Sequence, residues 1–176
     1  MTSASRQLIL VRHAKAAEPR DGQADHDRPL TQRGHADAEA LGHWFKEQGL
    51  RVDLVLCSTA VRTRETWADV VASSGLGALV ANDQRIYNAS VQRLLGVIAE
   101  EGGPSRSIAV VGHAPGMPGL AAALIEGAQV EEGGPNLEGG YPTCTAAVLQ
   151  VAVKWKDLAP GTARLSAIHT ARTSGD

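Results

Sequence analysis

The chain has 176 residues and a formal net charge of −2, with 43% hydrophobic but only 3% aromatic side chains. That length suits a single domain over 1–176, with its core over about 7–170, and leaves Val, Leu, Ile and Ala to fill it, as in parallel α/β sheets. The near-neutral charge and scarce rings offer no general attraction to nucleic acid or anionic membrane, which excludes both as expected partners.

No stretch approaches the roughly 18 apolar residues that span a bilayer, and the start Met1-Thr2-Ser3-Ala4-Ser5-Arg6 lacks a signal peptide's apolar run. A cytoplasmic protein is expected. Gln7–Val11 reads as a short buried strand running straight into Arg12-His13-Ala14. Thr31–Gln48 has helical periodicity, with Thr31 as cap, Gly49 as stop, and Leu41, Trp44, Phe45 and Gln48 on one side. Val52–Cys57 predicts a second strand, followed by a helix near Ala60–Ala72 that buries Val61, Trp67, Val70 and Val71.

A short extended piece near Ala78–Val80 precedes a helix capped by Ser90 and running to about Glu100, with Val91, Leu94, Leu95 and Ile98 at helical spacing. Ser107–Val111 is the third strong strand. Gly116–Glu126 is helical by composition, with Pro118 tolerable only in the first turn. Gly127–Gly140 predicts a loop, either a flap over a site or a floppy connector. Thr145–Val153 and Ala163–Ile168, joined through Asp157-Leu158-Ala159-Pro160-Gly161, predict an antiparallel hairpin at the edge of the sheet. The expected fold class is therefore an α/β three-layer sandwich: a mostly parallel sheet with an antiparallel edge and helices on both faces.

Open α/β sheets bind ligands outside the carboxyl ends of their strands. His13 follows the first strand, Arg62 lies in the first turn of the helix after the second, and His113 follows the third. An imidazole there can attack phosphorus while an adjacent guanidinium, here Arg12, grips the phosphoryl oxygens through its planar fork. Arg62 and Arg64 stand about 200° apart on a helix, so only one of them can face a pocket.

His113 is expected as a second donor or cation beside the phosphate. Backbone N–H groups around Ala114 add an anion site, although Pro115 donates nothing. Lys15 either joins the pocket or is a solvated lysine. Asp21, Asp25, His26 and Asp27 do not follow a calcium-loop order, and His35, His43 and His169 lack ligand spacing, so no metal is expected. No GxxxxGK phosphate loop occurs. Cys57 and Cys144, both in apolar strand-like segments, read as buried free thiols rather than a disulfide or metal pair.

Three segments recur in a recognisable order: Arg12-His13-Ala14, then Ser58-Thr59-Ala60-Val61-Arg62-Thr63-Arg64-Glu65-Thr66, then Val110-Val111-Gly112-His113-Ala114-Pro115-Gly116. Together they resemble the histidine phosphatase superfamily. Arg12-His13-Ala14 with Asp27-Arg28-Pro29-Leu30-Thr31 is similar to its phosphohistidine phosphatase (SixA) branch, and the resemblance runs from Leu8 to about Val153.

The resemblance implies a phosphoglycerate mutase-like fold and a cofactor-independent phosphatase with a role in signalling. It implies His13 as nucleophile, with Arg12, Arg62 and His113 as its phosphate-binding partners. The family's arginine, four residues after the serine and four before the threonine, selects Arg62 over Arg64; Asp27 is implied to line the pocket.

Relatives acting on phosphate esters carry a glutamate acid where this chain reads Arg85-Ile86-Tyr87-Asn88-Ala89-Ser90. An alkoxide leaving group gains roughly 10²–10⁴ in rate from such an acid. An imidazole, whose pKa is about 6.5, leaves without one. The expected function is removal of phosphate from a protein phosphohistidine through a covalent phosphohistidine on His13. The alternatives are a phosphatase for a small phosphate ester or phosphoanhydride, and a non-enzymatic module that binds a phosphorylated partner.

Overall fold

Successive residues of the first strand feed two different cores. In β1 (Arg6–Arg12), Leu8 and Leu10 face one side and Ile9 and Val11 the other, and all four are fully buried. Such a strand is stable only when covered on both faces. The computed structural model describes residues 5–173, so the first four residues of the chain start read above lie outside the described residues.

Five further strands complete the sheet: β2 (Leu54–Cys57), β3 (Leu79–Asn82), β4 (Ser107–Gly112), β5 (Thr145–Val151) and β6 (Ala163–Thr170). Their order is β3-β2-β4-β1-β5-β6. The first four in that order pair in parallel, and β5 and β6 add the antiparallel edge. Helices α1 (Gln32–Glu47) and α2 (Val61–Ser74) cover one face, burying Leu41, Phe45, Trp67 and Val70 against Ile9, Val11 and Val55. Helices α3 (Val91–Glu101) and α4 (Gly116–Leu124) cover the other, with Leu94, Ile98 and Leu120 against Leu8, Leu10 and Leu56. The α/β sandwich expected from the sequence is the architecture found.

Register brings the three strand ends that matter to one level. Arg12 pairs with Gly112, and Cys57 pairs with Val111, so β1, β2 and β4 stop side by side. The predicted caps are in place: Thr31 accepts the Gly34 N–H at 2.9 Å, Ser90 accepts that of Arg93 at 3.2 Å, and Gly49 turns away from α1 with φ +63°.

Several boundaries differ from expectation for local reasons. β2 starts at Leu54, and just before it the Asp53 carboxylate accepts the Arg106 and Ser107 N–H groups at 2.8 and 2.9 Å, capping the entry to β4. Gln48 is the exposed C-cap of α1, not part of its apolar face, and Val61 and Val71 are half-buried. Cys144 lies just before β5 at φ +59° rather than inside a strand. The piece near Ala78–Val80 becomes β3, an edge strand whose Leu79 is 72% exposed.

The first half of the 127–140 loop lies by Ile125, Arg164 and Leu165. β6 begins opposite the start of β1, so that half sits at the end of the sheet away from His13. No helix among the described residues is long and apolar enough to cross a membrane.

Gly34 sits where α1 meets the chain leaving β1. A Cβ there would lie 2.2 Å from the Lys15 carbonyl oxygen, whereas one at Gly77 meets nothing within 4 Å. Gly34→Ala is expected to cost about 1–3 kcal/mol, as overpacking does, and Gly77→Ala close to nothing. Denaturant unfolding of the two variants measures this, and equal stabilities would refute the tight contact.

Candidate active site

His13 is held by backbone on both sides. Its N–H donates to Gly112 O at 3.0 Å, continuing the β1–β4 ladder, and its carbonyl accepts the Cys144 N–H at 2.9 Å. The ring Nδ1–H donates to Ala14 O at 2.6 Å. A carbonyl can only accept, so the proton is on Nδ1 and the lone pair on Nε2. Burial pushes the imidazole down to about 4; the bond to Ala14 opposes this, and the charges of Arg62, Arg12 and Arg28 add to it. At neutral pH the ring is uncharged.

The segment 58–66 ties the second strand end to the first. The Ser58 N–H donates to Val111 O at 3.0 Å, and Thr63 Oγ1 donates to Ser58 O at 2.8 Å. Thr66 Oγ1 accepts the Ala14 N–H at 3.0 Å and donates to Arg62 O at 2.7 Å, which couples the loop after His13 to the first turns of α2. Arg62 is 5% exposed, and its charge lowers both imidazoles. Arg64 is exposed and donates to Thr59 O.

His113 leaves β4 beside this pair. Its ring centroid lies 5.3 Å from that of His13, and its Nε2 is 2.8 Å from Ser58 Oγ. Burial, with the neighbouring His13 and Arg62, pushes it down to about 3, so at neutral pH it is not the cation considered from the sequence. Its Nδ1 is buried without a partner. Arg12 Nη1 donates to Tyr141 O at 2.9 Å while its Nε is buried and unpartnered.

Beyond these four residues, the loop between β1 and α1 supplies contacts that the sequence did not point to. Asp25 opens a one-turn 3₁₀ segment, Asp25–Asp27. Arg62 Nη1 donates to its carbonyl at 2.7 Å, and Arg62 Nη2 to its Oδ2 at 3.0 Å. The Tyr87 hydroxyl donates to the same Oδ2 at 2.6 Å, and Arg28 Nη1 donates to Oδ1 at 2.9 Å. These donors, Tyr87 foremost and then Arg28, hold the Asp25 carboxyl well below the usual carboxylate range. Tyr87 packs edge-on to His113 at 5.4 Å. The only sequence signals were three residues' separation between Asp25 and Arg28 and an aromatic within the Arg85–Ser90 stretch.

The other expected residues are placed differently. The Asp27 carboxylate is 63% exposed and meets His26 at 3.2 Å, not Arg62. Lys15 is exposed; its carbonyl, not its ammonium, is engaged, accepting the Thr31 N–H. Ala114 is exposed on the rim of a cleft of about 270 Å³ that His113, Ile86, Leu94 and Met117 also line. His35 pairs with Asp69 at 2.7 Å and His169 stacks on Trp44, and no group of metal-ligating side chains occurs among the described residues.

Two uncharged imidazoles, His113 buried and His13 half-buried, beside a buried and a half-buried guanidinium can receive a phosphoryl group and offer it a nucleophilic nitrogen. Comparison with known proteins agrees. The model of the histidine phosphatase superfamily (branch 1) matches residues 8–85. An uncharacterized protein of Mycobacterium tuberculosis is 40% identical over 166 residues, 92% of this chain and 100% of the relative.

Among solved structures, a protein of Nakamurella multipartitia assigned as phosphohistidine phosphatase SixA is 33% identical. Its TM-score is 0.84, over 97% of this chain and 99% of that one. One from Agrobacterium tumefaciens with the same assignment is 30% identical, with a TM-score of 0.79 over 95% and 99%. The chain belongs to the histidine phosphatase superfamily, and within that group of phosphatases it is SixA-like.

Proposed function

We propose that the protein removes phosphate from a protein phosphohistidine, with His13 as the nucleophile. The observation that carries this reading is the 2.6 Å bond from His13 Nδ1 to Ala14 O, which leaves Nε2 with its lone pair available. Nε2 attacks phosphorus as the P–N bond to the substrate imidazole breaks. The substrate ring, protonated on its other nitrogen, departs as neutral imidazole with the electron pair of the broken bond on the departing nitrogen, and a phosphohistidine is left on the enzyme. A water then attacks that phosphorus, releasing inorganic phosphate with the water's protons and restoring the neutral ring.

Arg12 and Arg62 offset the charge on the phosphoryl oxygens, and His113 with Ser58 borders the same space. The scheme calls on no metal or cofactor. Lys15, Ala114 and Asp27 enter only as secondary contacts to the substrate at the rim.

The preference for a phosphoramidate rests on proton supply. Asp25, the carboxylate that reaches Arg62, is held ionised by three donors, and Asp83 is tied to Arg85 at 2.6 Å. An ionised carboxylate has no proton to give. A leaving group as weakly basic as neutral imidazole tolerates that; an alkoxide does not.

Three outcomes are expected. His13→Ala abolishes turnover and the covalent intermediate; wild-type turnover in that variant would remove His13 as nucleophile. A phosphohistidine peptide is dephosphorylated faster than a matched phosphoserine peptide by about 10² or more, the factor a missing acid predicts, and equal release from both overturns the substrate assignment. By ¹⁵N NMR, His13 titrates at about 4 and His113 at about 3. Since burial lowers both values, the reactive neutral form of His13 persists as pH falls from 7 to 5 and is lost only through about 4. Midpoints near the ordinary 6.5 would contradict that.

A further inference from the structure

Arg62 enters the site from the first turn of α2, and the hydrogen bonds of its side chain to the protein go to one residue of another loop. A guanidinium at the end of several rotatable bonds addresses a phosphoryl group well only when something fixes its plane. Here both terminal nitrogens are held by one residue of another loop: Asp25 accepts from Nη1 through its carbonyl and from Nη2 through Oδ2.

The clamp is itself fixed. Arg28 donates to Oδ1 of Asp25, and its Nε donates to Ala17 O at 2.8 Å, tying the carboxylate to its own loop. Tyr87 donates to Oδ2 from across the pocket, and its ring lies 5.9 Å below the Arg62 guanidinium carbon. His26 packs edge-on to Tyr87 at 5.1 Å and meets Thr59 Oγ1 at 2.9 Å, closing the ring of contacts onto the start of the arginine motif.

We propose that Asp25 is a positioning residue of the phosphoryl site, held by Tyr87 and Arg28 and setting the plane of Arg62. The inference rests on the proposed function for its catalytic consequence. Asp25 uses one hydrogen on each of Nη1 and Nη2, so the second hydrogens of those atoms and the Nε–H remain for phosphoryl oxygens. The carboxylate also offsets the charge of Arg62, whose side chain is buried.

The test uses the full chain with Asp25→Ala, Asp25→Asn and Tyr87→Phe. Two readouts are taken: kcat and KM on an aryl phosphate, and calorimetric Kd for orthovanadate, which mimics the transferring phosphoryl group, against inorganic phosphate, which mimics the ground state. Asp25→Ala is expected to lower kcat by about 10- to 10²-fold, the effect of a slightly misplaced group, with KM little changed. Vanadate should weaken by the same factor while phosphate barely moves.

Asp25→Asn should recover part of the loss, because its amide oxygen still accepts, and Tyr87→Phe should lose less than Asp25→Ala. A purely structural role would lower the melting temperature and the active fraction while leaving the vanadate-to-phosphate ratio as it is. An unchanged ratio overturns the proposal. So does tighter phosphate binding with a lower KM and intact kcat, since Asp25 would then be a competitor for Arg62. The ratio is read by binding alone, so a wild-type protein without turnover would remove the proposed function and still leave Asp25 to be decided.

Discussion

Two carbonyl groups hold His13, that of Gly112 through its backbone N–H and that of Ala14 through its ring. The first is a rung of the sheet, so the height of the imidazole is set by the β1–β4 register and cannot drift without breaking the ladder. The second decides which nitrogen bears the proton. Cys144 completes the grip from the other side by donating to His13 O. The site's chemistry is thus written into the main chain, and side-chain variation around it can tune the pocket without releasing the ring.

Desolvation then does what a basic neighbour does elsewhere. Burial keeps both imidazoles neutral; Arg62 pushes both in the same direction, and Arg12 does so for His13. A neutral ring beside guanidinium groups has the lone pair that the proposed nucleophile needs, next to charges that favour an anion. The cations are satisfied locally in the meantime, Arg62 by Asp25 and Arg12 in part by the Tyr141 carbonyl. Arg12 Nε and His113 Nδ1 are, among the described residues, two of the buried polar atoms without a partner.

The fold was readable because its strands carry a signal that does not depend on context. Leu8-Ile9-Leu10-Val11 and Ser107–Val111 are apolar on both faces, which parallel strands covered by helices require. Thr31, Ser90 and Gly49 announced helix ends through chemistry local to a few residues. Arg12, His13, Arg62 and His113 were legible as a set because each sits at or just beyond a strand end, and register carries them to one level. Asp25 and Tyr87 were not, because their meeting depends on how the loops before α1 and before α3 fold across the mouth, and neither periodicity nor capping encodes that. Asp27 was singled out by the resemblance of Asp27-Arg28-Pro29-Leu30-Thr31, yet the one-turn helix leaves its carboxylate on His26 and turns that of Asp25 to Arg62.

Burial at Cys57 and Cys144 pushes both thiols up to about 12, and both are free. Thiolate is the form that peroxides and alkylating agents attack, and at physiological pH almost none is present here. Cys144 touches the backbone of His13 and Cys57 precedes Ser58, so sulfur flanks the reaction centre in a chemically silent form. Both sulfurs beside His13 and Ser58 are thus held in the protonated form, which oxidants attack least, and the nucleophile proposed for this site is a nitrogen rather than a thiolate.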